Sequence, residues 1–406
     1  MHILVLDTIH GGKAIGEAFA ARGDRVDCVD VYRGKSSIDV KTALAGNYDL
    51  VVAPVHLDPD HPLLKYAKAP VISHHEAVRQ LLFENIPEPM IEITGAWGKT
   101  TTAHALAFLM GGKGILHTST GTYLFPEKRW ISQSGITPGS VIAVARIAHE
   151  IHGWLIVEES LGITCRGTLG IITSDGDYCF AAGKKSALNA KVASAKNCKC
   201  LLLAENIHAD YPGRVVHLED VARTEGTECS LILGKKTSRF SNPLLALPGY
   251  HTSLVLAAVA AMMLGIDPSP LSSFRAIPGR MSVSYDKGLL IVDNANSGTN
   301  LATTLEAARY ARITSGKEAV TLLIGQEEGD GAVCEGFAFD QIRAAIDQIR
   351  PAHVVWVGTF PKPGTLEYTI LEPLISAYTA TLIEAYTRAL PMTDPGSMVL
   401  AVKTWR

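Results

Sequence analysis

The amino-terminal part of the chain alternates short apolar runs with segments of helical spacing. His2–Asp7 (HILVLD) predicts a strand, His10-Gly11-Gly12 a tight loop, Lys13–Arg22 a helix and Arg25–Val31 a second strand. Tyr48–Pro54 (YDLVVAP) predicts a third strand and Pro70–Ile72 a fourth. Strands that alternate with helices imply a parallel, Rossmann-like sheet, because parallel neighbours need a crossover long enough to hold a helix. The loop after the first strand is not G-x-G-x-x-G, so no dinucleotide site is assigned to it. Ile86-Pro87-Glu88-Pro89 reads as a linker.

A second segment opens with the strand Met90–Thr94, followed by a loop through Thr102 and a helix from Ala103. Further strands are expected at Trp154–Glu158, Leu169–Thr173 and Lys199–Leu203, with a long apolar helix near Thr252–Leu264. A third segment begins near Pro278-Gly279-Arg280 and carries strands at Leu289–Val292, Ala319–Gly325, His353–Val357 and Met398–Val402. The expected architecture is α/β in three domains: residues 1–86, 87–279 and 280–406.

Composition narrows the class. The chain of 406 residues is 47% hydrophobic and 19% charged, which excludes intrinsic disorder. Its formal net charge of −3 gives no basic footprint for a nucleic acid. The longest charge-free apolar stretch, Thr252–Ile266, falls short of the ~20 residues that span a bilayer, and no targeting segment is visible at the amino terminus. Seven scattered cysteines form no C-x-x-C pair, so neither a disulfide framework nor a zinc knuckle is expected. These features imply a reduced, cytoplasmic protein without nucleic-acid or membrane partners; oligomeric state is not legible.

The strongest chemical signal is Gly95-Ala96-Trp97-Gly98-Lys99-Thr100-Thr101-Thr102, between a strand and a helix. Backbone N–H groups converging at a helix N-terminus bind phosphate, and glycines let the loop curl close to it. Lys99 can reach the β- and γ-phosphates and the Thr100 hydroxyl can ligate Mg²⁺. Ile93 stands where the full G-x-x-x-x-G-K-T pattern has its first glycine. The alternative is an ordinary strand–helix turn, but the flanking elements favour a nucleotide site.

The shortened G-x-x-G-K-T-T loop resembles that of the Mur ligase family, ATP-dependent enzymes related to the folylpolyglutamate synthetases. Other landmarks follow in the family's order. Thr137-Pro138 precedes a helix. Leu155-Ile156-Val157-Glu158-Glu159 is similar to the strand whose terminal glutamate holds Mg²⁺. Asn189-Ala190-Lys191 matches the position of a carbamylated lysine, and Pro248-Gly249-Tyr250-His251 that of the G-x-H-N motif. Gly279-Arg280-Met281 matches the hinge whose arginine reaches the γ-phosphate, and Asp293 stands where the third domain, closing over ATP, supplies an aspartate to the nucleotide. The resemblance thus implies Lys99, Glu158, Lys191, His251 and Arg280 as catalytic, and Gly95–Thr101, Arg280 and Asp293 as nucleotide contacts. It also implies Thr100 and Glu158 as metal ligands, with ATP and Mg²⁺ as cofactors.

Taken singly, each residue has a plainer reading. Glu158 could be a solvated strand end, Lys191 a surface lysine, His251 a packed or capping histidine, and Asp293 a turn residue. The chain also departs from the family. Ser174-Asp175-Gly176-Asp177 replaces an Asp-His pair, leaving Asp175 or Asp177 as the substitutes for a metal-binding histidine. Thr252 and Val255 replace asparagines that contact adenine, and Trp97 replaces an asparagine in the loop.

The amino-terminal stretches LDTIHGGKAIGEAFAARGDRVDCVDVYRG and APVISHHEAVRQLL resemble the branch of the family that completes coenzyme F430. That resemblance implies a nickel tetrapyrrole substrate, 15,17(3)-seco-F430-17(3)-acid, whose propionate is activated with ATP and closed onto a macrocycle carbon. Such a substrate carries many carboxylates. His10, Lys13, His56, His74 and His75, all at expected loop or strand-end positions, are the candidate cations for them. They are not assigned to the nickel, which the macrocycle already holds. An amide-forming ligase and a non-catalytic nucleotide-binding module are the alternatives.

Overall fold

The structure, a computed structural model, describes residues 1–32, 36, 38–82, 86–208, 211–327, 337–393 and 396–404. The chain divides into two compact units, Met1–Phe274 and Arg275–Arg406.

The first unit contains two large sheets. Four parallel strands stand in the order Arg25–Val29, His2–Leu6, Leu50–Ala53, Val71–Ser73. Their bounds lie within a few residues of those expected, and the tight loop expected at His10 is a turn, Thr8–Gly12, in which His10 and Gly11 leave helical geometry before helix Lys13–Ala21 begins. The last strand runs straight into helix His74–Leu81, which Ser73 and Glu76 cap reciprocally. Eight strands make the second sheet, in the order Arg214–His217, Cys200–Leu203, Leu169–Ile172, Met90–Thr94, Trp154–Glu158, Gly114–Thr118, Gly121–Phe125, Arg129–Ser132. The first six run parallel, and the central ones are buried on both faces, as a covered parallel sheet requires.

One core joins the two sheets. Ile3, Val5, Ile15 and Phe19 of the amino-terminal part pack with Ile115, Leu155 and Val157 around helix Pro138–Glu150, whose Val141, Val144, Ala145 and Ala148 are all buried. Ile86 of the expected linker packs on this same core. A hairpin of strands Cys179–Phe180 and Lys185–Ser186 reaches the loop after Leu50–Ala53, where Lys184 pairs with Asp58 and Asp60.

Several parts of this unit were not expected, among them the strands Gly114–Thr118, Gly121–Phe125, Arg129–Ser132 and Arg214–His217. The helix after the Gly95 loop begins at Lys99, four residues before Ala103, because Gly98 takes the left-handed conformation (φ 82°) and starts the helix directly after it. Residues 222–241 form a three-stranded antiparallel sheet, Ala222–Glu225, Glu228–Leu233 and Lys236–Ser241. The long apolar helix spans Pro248–Met263, is buried almost throughout, and packs on helix Lys99–Leu109. No helix among the described residues is long and apolar enough to cross a membrane.

The second unit is a six-stranded sheet ordered Ser282–Asp286, Leu289–Asp293, Ser397–Lys403, Val320–Gln326, His353–Val357, Ala377–Thr379. Its first pair is antiparallel and the rest are parallel. The six described cysteines are free thiols, and Cys334 lies outside the described residues.

The contact between the Thr8–Gly12 turn and helix Pro138–Glu150 is backbone on backbone: a Cβ at Gly139 would stand 2.2 Å from the Gly11 carbonyl oxygen. Gly139→Ala should therefore lower unfolding free energy by about 1–3 kcal/mol, although alanine is the better helix former. Denaturant unfolding checks this, and a stabilised variant would show that the two segments are not clamped.

Candidate active site

The phosphate loop lies where the sequence places it, after strand Met90–Thr94 and before helix Lys99–Leu109. Thr100, the second residue of the helix, is buried and donates from Oγ1 to Glu158 Oε2 at 2.8 Å. The same carboxylate oxygen accepts the Ser119 N–H at 3.1 Å, and Ser119 Oγ lies 3.1 Å from Thr100 Oγ1. Lys99 Nζ stands 3.7 Å from Glu158 Oε1 and donates to the Gly95 carbonyl at 3.1 Å. A hydroxyl, a second hydroxyl and a carboxylate, beside a lysine, thus meet at the carboxyl ends of adjacent parallel strands. Oxygen donors of this kind suit Mg²⁺, which takes few protein ligands and keeps the rest for water and phosphate. Glu158 is 2% exposed, so it is no solvated strand end.

Its neighbour Glu159 belongs to another environment. It is fully buried with Glu92 beneath the sheet, and burial, aided by the Glu92 charge, pushes its carboxyl well above the usual carboxylate range. Glu92 accepts the Thr164 hydroxyl and the Gly167 N–H. Glu159 is therefore a structural acid.

The loop amides have partners ready. Ala96 N and Trp97 N both donate to Ser174 Oγ, at 2.9 and 3.3 Å, and Thr173 Oγ1 donates to the Trp97 carbonyl. The Trp97 indole is largely exposed and lies directly against Gly176. Asp177 is committed elsewhere: it accepts Tyr178 N, Leu188 N and Ser186 Oγ, which orders the start of helix Ala187–Ala195.

Lys191, on that helix, is 1% exposed, so it is not a surface lysine. Its Nζ lies 5.0 Å from the Tyr178 ring centroid and has no hydrogen-bond partner. Burial, with the positive charge of Lys99, brings its pKa down to about 8.

The remaining expectations divide. His251 Nε2 is bonded to Thr224 Oγ1 at 2.8 Å, and the residue of its helix that reaches the phosphate loop is Ser253, whose Oγ donates to the Gly98 carbonyl at 3.3 Å. In the second unit, Arg280 N donates to the Ile277 carbonyl, and Asp293 ends strand Leu289–Asp293 with Oδ1 accepting Ala295 N. His74 and His75 are not cations. Both are buried, bonded through Nε2 to the carbonyls of Leu6 and Ser160, and burial lowers their pKa values to about 4 and about 3. Lys13 is exposed beside Glu17, while His10 and His56 both approach Asp7.

Sequence reasoning passed over Ser119, Ser174 and Ser253. The first two follow apolar runs at the carboxyl ends of strands, a position that was a usable signal; Ser253 inside an apolar helix carried none.

Comparison with known proteins agrees with this geometry. Residues 283–404 match the family model described as coenzyme F430 synthetase CfbE, C-terminal domain. The chain is 32% identical to coenzyme F(430) synthetase of Methanosarcina acetivorans across 88% of this chain and 90% of that protein. It is 30% identical to the Methanocaldococcus jannaschii protein of the same name over 48% of this chain and 50% of that one. Among solved structures, MurF of Acinetobacter baumannii superposes with TM-score 0.57 at 14% identity, covering 93% of this chain and 87% of the other. FolC of E. coli in complex with ADP gives 0.56 at 13%, covering 81% and 90%. With the Mur-ligase fold and the ATP-binding loop in place, the chain belongs to the coenzyme F430 synthetase family and is an ATP-dependent ligase.

Proposed function

We propose that the chain activates a propionate of the nickel tetrapyrrole 15,17(3)-seco-F430-17(3)-acid with ATP and closes the carbocyclic ring of coenzyme F430. The observation that carries this reading is the meeting of Lys99, Thr100, Ser119 and Glu158 at the phosphate loop, in a chain of this family. A carboxylate is a poor electrophile. Its oxygen must first take the γ-phosphoryl group, giving an acyl phosphate and ADP. The developing charge sits on the phosphoryl oxygens, which Lys99 would meet together with the loop amides, once Ala96 N and Trp97 N leave Ser174 Oγ. Thr100 and Glu158 would hold Mg²⁺, which supplies charge neutralisation at the phosphates when bound. In the second step a macrocycle carbon attacks the acyl carbon, its C–H proton is lost, the new C–C bond forms and inorganic phosphate leaves. The nucleophile is already tethered, so ring closure is intramolecular and gains effective concentration. Lys13, near the carboxyl edge of the amino-terminal sheet, is a proposed contact for substrate carboxylates.

Lys191 is proposed as a carbamate. The reaction needs a neutral amine, which adds to CO₂ and releases a proton, and a buried amine with a pKa of about 8 is available near neutrality. The carbamate's charge would then face Lys99.

Anaerobic incubation with the nickel seco-acid, Mg²⁺ and ATP should give a product lighter by one water, with one ADP per turnover and no amine required. Dependence on an added amine would replace this reading with an amide-forming ligase. Lys99→Ala should lower kcat by about 10²–10³-fold, and Thr100→Val should raise the Mg²⁺ concentration needed while Thr100→Ser should not.

Labelled bicarbonate should give a carbamate carbon signal in the wild type that Lys191→Met lacks. Because the ammonium form predominates below about pH 8, the signal should weaken as pH falls through that value. A signal unchanged in Lys191→Met would remove the carbamate.

A further inference from the structure

We infer that Asp7, His10 and His56 form a binding site for a divalent transition-metal ion at the carboxyl edge of the amino-terminal sheet. The topology marks the place. Strand His2–Leu6 is flanked by Arg25–Val29 on one side and Leu50–Ala53 on the other, so the connection out of it and the strand beside it lie in opposite directions. Open parallel sheets bind ligands at such a switch point, just outside the strands' carboxyl ends. Asp7 directly follows the first strand and His56 the third, and the Thr8–Gly12 turn brings His10 back over both.

The donor set fits the ion. One atom from each residue falls within 4.8 Å of the others. Asp7 Oδ2 lies 2.7 Å from His10 Nδ1 and 3.2 Å from His56 Nε2. The Asp7 side chain is fully buried and its Oδ1 accepts Ile9 N and His10 N, which fixes the carboxylate with Oδ2 turned toward the imidazoles. Asp7 itself holds φ at 68°, an uncommon conformation for a residue with a Cβ. The His56 Nε2 atom is buried and faces Asp7 Oδ2 at 3.2 Å without hydrogen-bond alignment, so the carboxylate satisfies this nitrogen only weakly.

Two imidazoles and one carboxylate suit Zn²⁺, Co²⁺ or Ni²⁺ and leave coordination positions free. Mg²⁺, which prefers oxygen, belongs at Thr100 and Glu158 instead. The Tyr32 ring stacks on His56 at 5.5 Å and stands edge-on to His10 at 5.6 Å, holding both imidazoles in place. The ligand of the free positions would be an oxygen anion such as a carboxylate, so the site can act in substrate binding. The metal site does not rest on the tetrapyrrole reading, because its test uses the metal alone.

Purified full-length protein, stripped with chelator, is titrated with Co²⁺ in the presence of excess Mg²⁺, reading visible absorption and calorimetric stoichiometry. One Co²⁺ per chain is expected, with absorption bands of low-coordinate cobalt, displaced by Zn²⁺. His56→Ala and His10→Ala should each weaken binding by about 10–100-fold. Asp7→Asn should do the same, and if it fails to fold the two histidine variants still decide. Binding that is equal in the wild type and in both histidine variants, or absent from the wild type, overturns the proposal.

Discussion

The Glu158 carboxylate is the point on which the first unit turns. A buried carboxylate costs several kcal/mol unless donors converge on it. Here they come from separate elements: the Thr100 hydroxyl from helix Lys99–Leu109, the Ser119 N–H from the end of strand Gly114–Thr118, and Lys99 alongside. Satisfying one charge thus sets the phosphate loop, two strands and a helix start relative to each other. The next residue in sequence points the other way, since strand side chains alternate. Glu159 meets Glu92 in place of cations, and burial together with that neighbouring charge raises its pKa. Two adjacent acids are divided in role by a half-turn of the backbone.

A similar division applies to the lysines. Lys99 lies beside a carboxylate, whereas Lys191 Nζ lies against an aromatic ring, with only the longer-range charge of Asp177 to oppose that of Lys99. The positive charge of Lys99 adds to the burial of Lys191, and both lower its pKa. Electrostatics of this kind gather at functional sites because reactivity needs groups held away from their resting state.

Much of this was legible in the sequence. The central strands read clearly, because an apolar run bounded by turns has few other interpretations; Met90–Thr94, Trp154–Glu158 and His353–Val357 fall at their expected bounds. The Gly98-Lys99-Thr100 loop was legible because phosphate binding demands that order of residues. Other parts were not. Thr100–Thr102 look unlike a helix start, since β-branched residues favour strands, and only the left-handed Gly98 shows that the turn is already complete. The sheet at residues 222–241 is rich in Lys, Thr and Ser, with Cys229, Leu231 and Phe240 the buried members, too sparse a pattern to read. His74 and His75 looked like loop cations, but the Ser73 cap starts a helix there and turns both inward. Spacing cannot show which way a short polar side chain faces.

The helix Pro138–Glu150 has a consequence for how such a chain can change over evolutionary time. One side of it serves the sheet that carries the phosphate loop, and another serves the amino-terminal sheet, with Gly139 pressed on Gly11. The amino-terminal sheet is therefore no detachable module. Exchanging it for another recognition domain would uncover part of the buried face of that helix, so a new specificity must be built by altering loops on the existing sheet, or by rewriting that helix face together with its partner.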